Sequence, residues 1–241
     1  EDGIRDLVRS RGLGDVYKRQ IHNALQGRRW VMTPQREKIY FEYCKRNAII
    51  NHIRNHDIVI IHDPQPLGMV REYEKKTTWL WRCHIDISSP NKDTFNFLFP
   101  LIKRYDGVIV SSEQFRMKRL NAPQKIIHPS IDPLSRKNSA MGRAKAKRFL
   151  SRNGIDTDRP IISQISRFDP WKDYLGVIRM YRKIAEKEDC QLVLMGDMAT
   201  DDPQGPLVYH EVRKLAEKTP GISIIAEKND ILVNALQQES A

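Results

Sequence analysis

Seven short apolar runs, set along the chain with amphipathic stretches between them, constrain the fold more than any other feature of this sequence. They are 57–62 (DIVIIH), 78–85 (TWLWRCHI), 107–111 (GVIVS), 125–128 (KIIH), 161–166 (IISQIS), 191–195 (QLVLM) and 222–226 (ISIIA). Continuous rather than alternating apolarity predicts strands buried on both faces, as in a parallel sheet. The intervening segments read as helices. Between Asp173 and Glu186, the residues Leu175, Val177, Ile178, Tyr181, Ile184 and Ala185 recur at helical spacing. Ser89 ahead of Pro90, and Ser111 with Gln114 three residues on, read as helix N-caps. A last helix is expected from Asp230 to about Gln238. Strand and helix in regular succession mean an α/β fold with right-handed crossovers.

The basic, Ser- and Asn-containing stretch Pro133–Gly142 breaks that rhythm and is the expected domain boundary, dividing 21–135 from 136–241. Four strands precede it and three follow, whereas a doubly wound domain usually holds about six, so both halves read as incomplete. Residues 1–20 are set apart. They lack the apolar core of a signal peptide, and RGLGDVYKRQ resembles translated sequencing-adaptor read-through. Gly12-Leu13-Gly14 has neither the preceding strand nor the third glycine of a phosphate loop.

With 41 Lys+Arg against 30 Asp+Glu, the chain carries a net charge of +11, which calls for an anionic partner. The densest basic block is Arg136, Lys137, Arg143, Lys145, Lys147, Arg148 and Arg152, with no acid among them. It is either a nucleic-acid or membrane patch or a solvated helix face. The second is preferred because only Phe149 could stack on a base there. No apolar run approaches the ~20 residues of a membrane helix. Cys44, Cys83 and Cys190 are odd in number and lack C-x-x-C spacing, against a disulfide framework or a cysteine zinc site. A reducing, cytoplasmic setting is expected.

Open parallel sheets bind ligands beyond the carboxyl ends of their strands. After the first run come His62, Asp63, Pro64, Gln65 and Pro66. The second run carries His84 at its end and is followed by Asp86, Ile87, Ser88 and Ser89. Asp132 follows the fourth run, Arg167 to Asp173 the fifth, and Gly196-Asp197 the sixth. Arg167 ends a strand and Lys172 opens a helix, whose free N–H groups also favour an anion. An arginine fork with a lysine point charge there is a metal-free way to hold a diphosphate. His84 is either a functional group or a hydrogen-bonded core histidine. His52-x-x-x-His56 lacks a zincin glutamate and a third ligand, so it reads as surface. Asp156-Thr157-Asp158 precedes a strand and reads as a turn, and Asp197, Asp201 and Asp202 as solvated loop residues.

The stretches HNALQG (22–27), HDPQP (62–66), WRCHIDISSPN (81–91), HPSIDPLS (128–135), ISRFDPWKD (165–173) and GDMATDDP (196–203) resemble a known family. It is the retaining GT-B glycosyltransferases of the glycosyltransferase 4 group, and within them the glucosyl-transferring trehalose synthases and their trehalose phosphorylase relatives. The resemblance implies two Rossmann-like doubly wound domains facing a cleft, an acceptor-side one first and a nucleotide-sugar one second. It implies Arg167 and Lys172 on the donor diphosphate, and His84 near the transferred sugar as a third catalytic residue. Asp132, Gly196 and Asp197 fall on the donor side; Asp63, Gln65 and Asp86 on the acceptor side. The implied reaction moves glucose from ADP- or UDP-glucose to glucose, giving trehalose, with no cofactor or metal and no nucleic-acid or membrane partner. A phosphorylase using glucose 1-phosphate is the alternative, and a basic nucleic-acid-binding module the alternative of another class. The family's Gly-rich donor loop and E-x7-E stretch have no counterpart here, so the chain is expected to be an internal piece of a longer enzyme.

Overall fold

The computed structural model of the protein describes residues 13–51, 53, 56–197 and 204–240. Every apolar run forms a strand: β1 (Ile58–His62), β2 (Thr78–Arg82), β3 (Gly107–Val110), β4 (Gln124–Ile126), β5 (Ile161–Ile165), β6 (Gln191–Met195) and β7 (Ile222–Ile225). The helices are α1 (Leu13–Leu25), α2 (Pro34–Asn51), α3 (Lys92–Ile102), α4 (Arg143–Arg152), α5 (Tyr174–Ala185), α6 (Gly205–Ala216) and α7 (Asp230–Glu239). Residues 13–20, set apart in the sequence reading, are continuous with the rest of α1. The chain divides into two compact units, one ending at Ser130 and the other beginning at Ile131.

In the first unit all pairings are parallel, in the order β1-β2-β3-β4. The register sets Val59 beside Trp79, and Trp81 between Ile61 and Val108. These five form the floor on which Leu25, Tyr40, Leu67 and Leu98 pack. The expectation of strands buried on both faces fails at β1. Val59 and Ile61 are buried, while Ile58 and Ile60 remain 58% and 47% exposed. β1 is an edge strand, and the described helices lie on its Val59/Ile61 side. Hydrophobic content alone does not say whether a second layer is present.

The second unit has a parallel sheet in the order β5-β6-β7, and here burial is two-sided. Val193 and Met195 of β6 face Ala146, Leu150, Leu232 and Leu236 of α4 and α7. Leu192 and Leu194 face Ile178, Tyr181 and Val212 of α5 and α6. Every β6 residue is therefore buried, each large aliphatic side chain contributing about 1.5–3 kcal/mol. After β7, α7 carries the chain back across the sheet, where Ser240 bridges Ile161 in parallel on the free edge of β5. Progression from β5 to β7 followed by return to the other side of β5 is the reversal that defines a doubly wound sheet. The crevice it opens lies beyond the carboxyl end of β5.

Two expected caps differ. α3 starts at Lys92, and its cap is Asn91, whose side chain accepts from the Thr94 N–H; Ser89 and Pro90 lie outside it. Asn91 is placed there by its own N–H, which bonds the carbonyl of Ala24 in α1. Ser111 caps nothing: a short 3-10 turn, Glu113–Phe115, begins after Ser112, and the Ser111 hydroxyl is buried without a partner. Among the described residues no helix is long and apolar enough to cross a membrane, and Cys44, Cys83 and Cys190 are free buried thiols.

Candidate functional site

Asp63, Gln65, His84 and Asp86 lie beyond the carboxyl ends of β1 and β2 in the first unit, and Arg167, Lys172, Gly196 and Asp197 beyond those of β5 and β6 in the second.

On the second unit the segment from Ser166 to Asp173 is held from several directions. The Ser166 N–H bonds the carbonyl of Met195 at 3.0 Å, and the Phe168 N–H bonds that of Asp197 at 3.2 Å. The Tyr174 hydroxyl donates to the Ser166 carbonyl at 2.5 Å and accepts from the Ser166 hydroxyl at 3.0 Å. Phe168 is buried between the rings of Tyr174 and Tyr209. Gly196 lets the two loops close, since a Cβ there would lie 1.9 Å from the Ser166 carbonyl oxygen. Gln164, inside β5, donates to the carbonyl of Lys172 at 2.7 Å.

From this frame Arg167 and Lys172 project into solvent. Among the described residues neither head group has a hydrogen-bond or ion-pair partner, so both charges are open to an anion. Lys172 does not open the α-helix as expected. It ends a 3-10 turn, Pro170–Lys172, capped by Asp169, and α5 begins at Tyr174. Between them Asp173 adopts left-handed backbone (φ 45°), and its carboxylate accepts from the Gly176 N–H at 3.0 Å. The helix end is thus already capped by a carboxylate, which removes part of the expected helix contribution to anion binding. Arg167 and Lys172 remain as the exposed cations of this loop.

Gly196 is buried and Asp197 exposed beside this loop. Asp132 lies in an exposed turn, where Oδ1 accepts from the Leu134 N–H and the carbonyl accepts from Ser135 and Asn138. Asp156 likewise accepts from the Asp158 N–H, making the expected turn ahead of β5. Asp201, Asp202 and His52 lie outside the described residues. Part of the basic block serves the unit itself: Arg143 pairs with Glu239, and Lys147 donates to the carbonyl of Thr157. Phe149 is partly buried and packs against the core.

On the first unit the loop after β1 is fastened from beneath. The Tyr40 hydroxyl donates to the Pro64 carbonyl and accepts from the Gly68 N–H, both at 2.9 Å. Tyr105 donates to the Leu67 carbonyl at 2.7 Å. Asp63 holds a left-handed conformation (φ 64°) because three bonds fix it. Its N–H bonds the Arg82 carbonyl, its carbonyl accepts from the Trp81 indole, and Oδ1 accepts from the His84 N–H at 3.0 Å. The Gln65 side-chain oxygen is buried with no partner. Asp86 is exposed, and its Oδ1 caps the Ser88 N–H.

β2 ends at Arg82, so His84 lies two residues past the strand and is exposed, which removes the core-histidine reading. Its Nε2 lies 2.7 Å from Nδ1 of His62, which the sequence reading placed at the end of the first run but gave no role. Arg82, also missed, is buried, and its guanidinium donates to the carbonyls of Val110 and Ile127 across the ends of β3 and β4. No signal within one segment marks either; each is defined by a neighbouring strand. Among the described residues no group of three or more His, Cys, Asp or Glu could hold a metal ion.

Parallel sheets flanked by helices, with anchored polar loops at their carboxyl ends, are Rossmann-like units of the GT-B type. Solved structures bear this out at the level of fold. The UDP-forming trehalose-phosphate synthase of Burkholderia xenovorans matches with TM-score 0.69 and 12% identity, over 91% of this chain and 59% of that one. Sucrose-phosphate synthase of Thermosynechococcus elongatus matches with TM-score 0.63 and 12% identity, over 88% of this chain and 55% of that one. In sequence, residues 13–117 match the family of the trehalose synthase N-terminal domain. Trehalose synthase of Thermococcus litoralis is 42% identical over 203 residues, 83% of this chain and 49% of that protein. The Rubrobacter xylanophilus enzyme is 40% identical over 230 residues, 91% of this chain and 55% of that protein. The chain spans about half the length of the curated trehalose synthases it matches.

Proposed function

We propose that this chain is part of a retaining glycosyltransferase of the glycosyltransferase 4 group that moves glucose from ADP- or UDP-glucose to free glucose, forming trehalose. The observation that carries this reading is the pair Arg167 and Lys172: two open cations on a braced loop beyond β5, beside the switch point of the second sheet. Identity of 42% and 40% with trehalose synthases supports the product. Trehalose phosphorylase of Grifola frondosa is more distant, at 27% identity over 75% of this chain, which places the orthophosphate reaction second.

In this reading the anomeric C–O bond to the diphosphate breaks as the acceptor oxygen bonds the same carbon on the face the phosphate leaves. The acceptor proton passes to the departing phosphate oxygen. No carboxylate nucleophile is required; the protein stabilises negative charge on the leaving group and aligns the acceptor. The Arg167 fork and the Lys172 point charge would offset the diphosphate without a metal. Asp132, Gly196 and Asp197 belong to the donor side. His84, Asp63, Gln65 and Asp86 serve the sugars, and three buried thiols suit a reducing cytoplasm.

In the protein that carries this chain, Arg167→Ala and Lys172→Ala should each cost about 2–4 kcal/mol of transition-state stabilisation, the usual worth of one such donor. Unchanged turnover in both removes the diphosphate assignment. Trehalose cleavage that requires orthophosphate and ignores nucleoside diphosphate would replace the synthase reading with the phosphorylase.

A further inference from the structure

The carboxyl edge of the first sheet carries two imidazoles that meet each other. His62 ends β1 opposite Arg82 in the register, and the turn after Arg82 brings His84 back alongside it. His62 Nδ1 and His84 Nε2 are 2.7 Å apart, the ring planes lie within 11°, and the centroids are 5.0 Å apart. At that separation one nitrogen donates and the other accepts, so the contact holds a single proton. Protonating both rings would set N–H against N–H and force them apart. His84 is held on its other side by its backbone, whose N–H bonds Asp63 Oδ1. The charged groups around the pair are Asp63, Arg82 and, two residues beyond His84, Asp86. Partial desolvation first, and then the neighbouring His84 and Arg82, lower the basicity of His62, against Asp63, which raises it.

We propose that His62 is the positioning residue for His84. Through this bond it sets the plane and tautomer of the His84 imidazole and leaves His84 Nδ1 free for the sugar. It also limits the pair to one positive charge, so that acid dissociates it. The proposal rests on the reading that His84 meets the transferred sugar, and it adds the group that orients it.

The test is ¹⁵N-histidine NMR of the chain across pH 5–8, with turnover followed in the protein that carries it. In the wild type the His62 imidazole should take up its proton below the ordinary histidine pKa of about 6.5. His62→Asn keeps a hydrogen-bonding atom near the Nδ1 position without a titrating ring. As the conservative replacement it should retain most of the turnover at pH 7.5 and remove the acid limb of the kcat profile. His62→Phe should lower kcat about 10–100-fold, the scale of a ~1 Å misplacement, with nucleoside-diphosphate affinity unchanged. A His62 imidazole that titrates at the ordinary value of about 6.5, or a His62→Phe protein with wild-type kcat and pH profile, overturns the proposal. A lowered His62 titration in a protein whose turnover ignores His84→Ala upholds the pairing and removes the sugar-side reading instead. Both rings are exposed, so circular dichroism should show both variants folded.

Discussion

Gly196→Ala separates a residue that happens to be small from one whose absent side chain lets the Ser166–Asp173 loop close. A Cβ at this position would lie 1.9 Å from the Ser166 carbonyl oxygen and 2.9 Å from the Tyr174 hydroxyl, where ordinary contact begins at 3.4 Å. The obstacle is backbone, so no rotamer change relieves it. Ser166 would have to retreat by about 1.5 Å from its place, against its bonds to Met195 and Tyr174 and the neighbouring Phe168–Asp197 bond. Overpacking of this kind costs about 1–3 kcal/mol, and each hydrogen bond lost a further ~0.5–1.5 kcal/mol. A total of about 3–5 kcal/mol follows, a large share of the ~5–15 kcal/mol that holds a domain. Melting of the second unit, followed by circular dichroism, should drop on the order of 10–20 °C. Gly142→Ala is the control: a Cβ there meets nothing within 4 Å, and the change should stay within ~0.5 kcal/mol. If Gly196→Ala melts with the wild type and binds nucleoside diphosphate equally well, the loop is not braced as described.

The one-sided burial of β1 predicts that neighbouring isoleucines respond oppositely. Ile61→Ser, in the packed face at 6% exposure, should cost about 3 kcal/mol or more, whereas Ile60→Ser, 47% exposed, should fall within about 1 kcal/mol of the wild type in urea titration. Equal losses would mean that both faces are covered. Burial pushes the thiols of Cys44 and Cys83 up to about 12, and Cys190 is buried as well. Ellman's reagent at pH 8 should therefore leave the folded chain unlabelled and find all three thiols in 6 M guanidinium; rapid labelling of the native protein would contradict the packing.

The sequence by itself determined the strands, their parallel sense and the places where polar groups gather. Local apolar density sets where strands form, and the carboxyl end of a strand is legible once the strand is. Arg167, Lys172 and Asp63 were readable for that reason, as was α5 from its spacing of apolar residues. Tertiary structure decided the rest, because the deciding partners are remote in sequence. Asn91 rather than Ser89 caps α3 because the Ala24 carbonyl holds its backbone. β1 has one bare face because the described helices pack on its other side. The end of α5 is taken by Asp173, whose left-handed backbone aims its carboxylate at Gly176. His62 gains a role only when β1 and β2 pair in register and bring His84 beside it, 22 residues away in the chain. Patterning encodes what each segment can bury; which hydrogen bonds and charges finally meet depends on sheet register and close packing, and neither is local.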